Sequence, residues 1–167
     1  MLKKIVLLTF LCLPLGMMAQ ELKIAYVNSM EIFNAMPETS AAETTLANLK
    51  QEVRAELQRM ESQYNSTVEE FKQLPDSLSP EVKINRMKEL EGIRERMQTY
   101  YQQSEEAIAK KSNDLQAPIV QKIKNAIKTV GDEQGYTYML EEGAFLYASP
   151  KAIDATSLVK AKLGLKK

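Results

Sequence analysis

Three adjacent acidic pairs, Glu69-Glu70, Glu105-Glu106 and Glu141-Glu142, are the side chains whose spacing most invites general-acid chemistry. Two carboxyl groups sharing one site would push one pKa up and leave a proton donor at neutral pH. Neighbours on a helix do not face each other, so the first two pairs are poor candidates for a coupled site. The third stands beside Gly143 and reads more simply as a solvated turn. The rest of the toolkit is thin: no histidine, no tryptophan, one cysteine (Cys12) and six glycines. The commonest general base and metal ligand is therefore missing. No catalytic, cofactor-binding or metal-ligating residue is assigned. Two groups remain that could act by contact. Lys110-Lys111 could meet an anion, although a solvated helix face is the simpler reading. Met60, Tyr64, Met87, Met97, Tyr100 and Tyr101 could offer flexible and amphipathic surface to a partner, although their helical spacing also suits packing.

The chain begins with Lys3-Lys4, an apolar run from Ile5 to Leu15 and the small residue Ala19. That order reads as a secretory signal peptide over residues 1–19, cleaved near Ala19. The run is too short to span a bilayer. Removal takes away Cys12, leaving no disulfide or thiolate. It also takes two lysines, so 22 basic residues become 20 against 22 acidic, a net charge of −2.

Lys23-Ile24-Ala25-Tyr26-Val27-Asn28 reads as a strand, apolar on both faces and so buried on both. Ser29 should cap a short helix through Phe33 and Met36, ended by Pro37. From Glu38 to about Leu74 there is neither Gly nor Pro. Apolar residues recur at Leu46, Leu49, Val53, Leu57, Met60, Tyr64, Val68 and Phe71, in steps of three and four. This is a narrow seam near the seven-residue period, on a helix of about 55 Å. Residues 75–80 hold the one dense breaker cluster, with Ser79 as cap and Pro80 at the first position of the next helix. That helix should run to Val130 through Met87, Leu90, Ile93, Met97, Tyr101, Ile108, Leu115, Ile119, Ile123 and Ile127, its seam interrupted at Gly92 and Pro118. Gly131 and Gly135 end it. Tyr136–Leu140 and Ala144–Ala148 read as a β-hairpin about Glu141-Glu142-Gly143, and Asp154 as the cap of a last helix with Leu158, Val159 and Lys162.

The fold class is therefore α+β, mostly α. A long antiparallel helical hairpin, an arm over residues 37–118 with its tip near 75–80 and Leu78, stands on a small β body of residues 20–36 and 119–167. Two long helices joined by a short connection run antiparallel. The body is small for a core of its own, and short strands leave open edges. Copies that pool strands through Ile24, Tyr26, Val27, Tyr138, Leu140, Phe145 and Tyr147 would solve both problems.

The opening Lys23–Asn28 with Phe33 resembles the first strand and short helix of the Skp (OmpH) family. Glu56-Leu57-Gln58-Arg59-Met60-Glu61 and Ala109-Lys110-Lys111-Ser112-Asn113-Asp114 are similar to stretches of that family's two long helices. Ile123–Val130, Tyr136–Leu140, Ala144–Tyr147 and Ile153-Asp154-Ala155-Thr156 follow its C-terminal half in order and spacing. The resemblance covers nearly the whole mature chain and rests on the ordered set. It implies a periplasmic homotrimer with a pooled β-barrel body and three arms around a cavity. It further implies an ATP-independent holdase that keeps unfolded outer-membrane β-barrel proteins from aggregating. Neither nucleic acid, cofactor nor an integral membrane segment after signal removal is implied. One departure is electrostatic: well-known members are strongly basic, whereas this mature chain is slightly acidic. A structural coiled-coil spacer or docking protein of the cell envelope is the alternative. Membrane-surface binding ranks below it, because the helices carry mixed charge and narrow seams.

Overall fold

The computed structural model describes residues 22–75 and 79–165. The expected signal peptide and the expected tip residue Leu78 lie outside them. Strand β1 (Ile24–Val27) leads into α1 (Ser29–Ala35), α2 (Pro37–Lys72) and α3 (Pro80–Gln134). Strand β2 (Tyr138–Glu141), a 3-10 turn (Glu142–Ala144), strand β3 (Ile153–Asp154) and α4 (Thr156–Lys162) follow.

Local chemistry sets each boundary. The cap of α1 is Asn28, not Ser29: its side chain accepts from the Glu31 N–H at 2.7 Å. Asn28 fits because its amide group can also donate, and it does so to Glu142 Oε2 at 2.5 Å. Met36 is extended, as a residue before proline prefers, and Pro37 opens α2 at once. Only one residue thus separates the two helices. Gly135 alone ends α3, with φ 65° and its N–H on the Gly131 carbonyl; Gly131 stays helical. The left-handed position is the one that needs glycine. Asp154 accepts from the Thr156 N–H at 2.8 Å, so it tethers the start of α4 from one position before the cap, Ala155.

The sheet order is β2-β1-β3 and both pairings are parallel. The expected return strand over Ala144–Ala148 does not form, and with it the β-hairpin is lost. The chain turns through the 3-10 residues, and Phe145 sets its ring edge-on to Tyr26 at 5.3 Å. Ile153–Asp154 then takes the other side of β1, opposite Ala25 and Tyr26. This choice gives β1 a partner on both edges. A hairpin beside β2 would have left β1 itself an edge.

Helices α2 and α3, of 36 and 55 residues, lie antiparallel. Glu38 pairs with Lys122, Ala42 neighbours Ile119, Leu57 neighbours Tyr101, and the Glu70 carboxylate acts on Arg86. All eight seam residues expected on α2, Leu46 to Phe71, are half-buried. Helix α3 passes unbroken through Gly92 and Pro118. A proline costs a helix one backbone bond, and here buried Ile119 and Ile123 anchor the following turns in the core. Those turns join Val27, Ile32, Met36, Ala42, Ala126, Val130 and Val159 in one cluster.

Ile32 is fully buried in that cluster, so Ile32→Ala should cost about 2–5 kcal/mol, read as a lower urea midpoint at fixed protein concentration. A second expectation concerns acid. Lys122 hydrogen-bonds Glu38 and, with a backbone donor, holds its carboxyl below the usual range. A depressed folded-state pKa gives stability that is present above the unfolded value of about 4.3 and lost as pH falls through the folded one. The melting-temperature gap between the protein and Glu38→Gln should therefore be open at pH 6 and narrow progressively as the pH falls below about 4.

Candidate functional site

Parallel register places Ile24 beside Tyr138 and Tyr26 beside Leu140 and Asp154. These side chains share one face of the sheet, because alternate residues point to opposite sides. The other face carries Ala25 and Val27, which are buried. Both faces of β1 were expected to be buried, but helices cover only the Ala25–Val27 face. Tyr138 is 58% exposed, and Ile24 and Leu140 are also open. Phe145 alone leans over Tyr26, while Leu146 and Tyr147 stand in solvent. Of the seven residues expected to join copies, Ile24, Tyr26, Tyr138, Leu140 and Phe145 therefore lie on or against one open apolar face, and Tyr147 stands in solvent two positions beyond Phe145. Val27 belongs instead to the chain's own core.

Burial pushes the Tyr26 hydroxyl above the ordinary tyrosine range, and the Asp154 and Glu142 carboxylates add to this. The hydroxyl stays neutral over the whole physiological range. Glu141 and Glu142 are exposed at the expected turn, and they also make contacts across the fold. Glu141 accepts from the Ser29 N–H at 3.0 Å and Glu142 from the Asn28 amide group. Glu141 answers an unpaired backbone donor at the positive end of α1, and Glu142 holds the side chain of its cap, which gives the acidic pair a structural task. The sequence signal was present in the Asn28-Ser29 helix start, but only the fold brings it beside residues more than a hundred positions later.

The candidate contact residues of the helical pair divide. Met60, Tyr64, Met97 and Tyr100 are half-buried along the seam. Met87 and Tyr101 are off it, 60% and 54% exposed. Tyr101 borders a shallow groove of about 470 Å³ with Val53, Leu57 and Ile108, rimmed by Lys50, Arg54 and Glu105. Sequence reasoning put Tyr101 in the seam. Tyr100 and the buried Ser104 occupy it instead, a slip of one residue in a region that lacks a large apolar side chain. Val82 and Ile84 were missed altogether; like Met87 they are exposed singly near the end of α3 farthest from the sheet. Their signal was an apolar pair at the wrong offset for the seam. Lys110 and Lys111 are exposed and take part in no ion pair among the described residues. No cluster of three metal-ligating side chains occurs among the described residues, and no described helix is long and apolar enough to cross a membrane.

Known proteins share this arrangement. Residues 23–163 match the family described as Outer membrane protein (OmpH-like). Chaperone protein Skp of Photorhabdus luminescens is 30% identical over 141 residues, 84% of this chain and 86% of that protein. Chaperone protein Skp of Escherichia coli K12 is 28% identical over 159 residues, 93% and 95% of the two chains. A solved OmpH-like structure from Caulobacter crescentus superposes with a TM-score of 0.74 over 84% of this chain and 82% of that one, at 17% identity, which speaks for the fold. The family match runs from the first strand to the last helix, and the chain belongs to the OmpH-like family.

Proposed function

We propose that this protein is an ATP-independent holdase chaperone of the periplasm, which binds unfolded outer-membrane β-barrel proteins and prevents their aggregation. The observation that carries the reading is a division of exposed apolar surface. One dense patch lies on the sheet, and isolated apolar side chains are spread along a long helical pair. The relatives named as chaperones support it.

In this reading residues 1–19 are an export signal. Residues 20–36 with 119–167 form the body, and residues 37–118 form an arm with its tip near 75–80. The body assembles with further copies, because a parallel sheet is ordinarily covered on both faces and this one is covered on one; that the copies number three is what the resemblance to the Skp (OmpH) family implies. Three arms then surround a client. Met87 and Tyr101, with Val82 and Ile84, meet apolar segments, and the thioether adapts to varied shapes. Each contact is weak, but three arms raise the effective concentration of every other contact once one is made. Holding of this kind uses no nucleotide or cofactor. Lys110 and Lys111 add a local attraction for acidic segments, although the mature net charge is −2.

A second reading has one observation behind it. Helix α3 runs for 55 residues without a break, as a rigid envelope spacer would require. Light scattering separates the two. A urea-unfolded outer-membrane β-barrel protein is diluted into buffer with a stoichiometric amount of trimer and no nucleotide. Suppressed scattering is expected; unchanged scattering from a folded, assembled protein would move the spacer to first place. The pair Met87→Ser and Tyr101→Ser should weaken suppression several-fold. Both residues are exposed, so stability should change by no more than about 0.5 kcal/mol per site. Leu140→Glu, in contrast, should shift the mass measured by scattering on a sizing column from trimer towards monomer.

A further inference from the structure

Sulfur is unevenly exposed along this chain. Once residues 1–19 are removed, as proposed above, methionine is the only sulfur left, because Cys12 is the one cysteine. Met36 is packed in the core at 1% exposure. Met60, Met97 and Met139 are half-buried. Met30 and Met87 stand open, at 65% and 60%.

The two open thioethers lie in different parts of the fold. Met30 is on α1, where it borders a groove of about 530 Å³ with Phe33 and Val120. Met87 is on α3, among the exposed side chains assigned above to client contact, Val82, Ile84 and Tyr101. Of those four, Met87 alone carries an atom that a two-electron oxidant attacks. Valine and isoleucine side chains are saturated hydrocarbon, and a phenol ring yields to one-electron chemistry.

We infer that the Met87 thioether is a modification site, oxidised by hydrogen peroxide to the sulfoxide while Met36 stays protected, and that this oxidation reversibly lowers the protein's hold on its clients. The inference rests on the holdase reading proposed above and adds a means of regulating the same contacts. A sulfur lone pair attacks one peroxide oxygen and forms the S–O bond. The O–O bond breaks, the proton on the transferred oxygen passes to the other, and that oxygen leaves as water. Sulfur loses two electrons and the peroxide gains them. Access sets the order, since the peroxide must reach the sulfur, and Met36 offers it no path. The product changes the contact: a flexible, polarizable apolar group becomes a polar one. An apolar client segment packed on it would leave the new oxygen without a hydrogen-bond partner, which is costly. The fold is spared, because the oxidised sulfur stands in solvent and the core cluster around Met36 is untouched. A small loss on each arm is multiplied when several arms share one client.

Peroxide treatment of the exported full chain, with the oxidant removed before client is added, tests this by two readouts. Peptide mass spectrometry should find one added oxygen on Met30 and Met87 well before Met60, Met97 or Met139, and on Met36 last. Suppression of scattering from the unfolded β-barrel protein should fall at least twofold, with the helical circular dichroism unchanged. Each variant is compared with its own untreated sample. Met87→Leu should lose nothing on treatment, whereas Met30→Leu should lose as much as the parent protein. Methionine sulfoxide reductases with a thiol reductant should restore suppression. The reductant has no other target, because the exported chain has no cysteine. A Met87 that resists peroxide, a treated parent that holds as well as before, or an equal loss in Met87→Leu overturns the inference and leaves the holdase reading standing. An untreated protein that fails to suppress scattering overturns both.

Discussion

Four residues carry more of this structure than their number suggests. Among the described residues, strand β1 is the strand paired with both of the others, and both come from the far end of the chain. Pairing it with β2 closes a loop of more than a hundred residues. Such closure is entropically costly, though the cost grows only slowly with length. The long helical pair reduces it further, since α3 returns the chain to the level of the sheet before β2 begins. Backbone bonds from Thr137 to the Lys23 carbonyl and from Ala155 to the Tyr26 carbonyl lock β1 on either side. Val27 then joins the core with residues of α1, α3 and α4, and Ala25 is buried on the same face of the sheet.

The two halves of the molecule are held by different physics. Around the sheet, fully buried Ile32, Met36 and Val159 give a packed core, and Glu31–Lys160 and Glu133–Lys162 cross between elements at its edge. Along the helical pair most contacts are half-buried, Ile93 being the large exception. The ion pairs on its outer part, Glu56–Arg59, Glu69–Lys72 and Arg86–Glu89, stay within one helix. Such solvent-exposed pairs are screened by water, support their own helix only weakly and do little to bind the two together. Small hydroxyl residues, Thr67 and Ser104, sit buried between the helices and let them approach closely without large apolar contact. The outer pair is thus stable as helix but weakly committed to one packing.

What could be read from the sequence follows the same division. The α2 seam was legible because periodic apolar residues decide which side of a helix is covered, and its eight positions are all half-buried. The breaker cluster and the left-handed Gly135 were legible for local reasons. Strand partners were not. Alternation at residues 144–148 reports a stretch able to be a strand, but pairing is decided by which edge is free, and β1 offered one to Ile153–Asp154. The task of Glu141 and Glu142 was hidden likewise, because it lies in a contact across the fold. For the contact residues, sequence types named the right class of side chain. Only the slip near Ser104 decided that Tyr101, and not Tyr100, faces outward.

That division also bears on how one chain can assemble with itself and still hold other chains. Association must overcome lost translational and rotational freedom, several kcal/mol before any net gain. An apolar face of Ile24, Tyr138 and Leu140, with Phe145 against Tyr26, is dense enough to meet that cost if copies join there. Val82, Ile84, Met87 and Tyr101 are too scattered to meet it alone. On the proposed reading they would become effective only when an assembled body presents several helical pairs to one client. Density of apolar surface would then sort the contacts into permanent and transient, with the sheet face serving assembly and the helices left available for a client that must later be released.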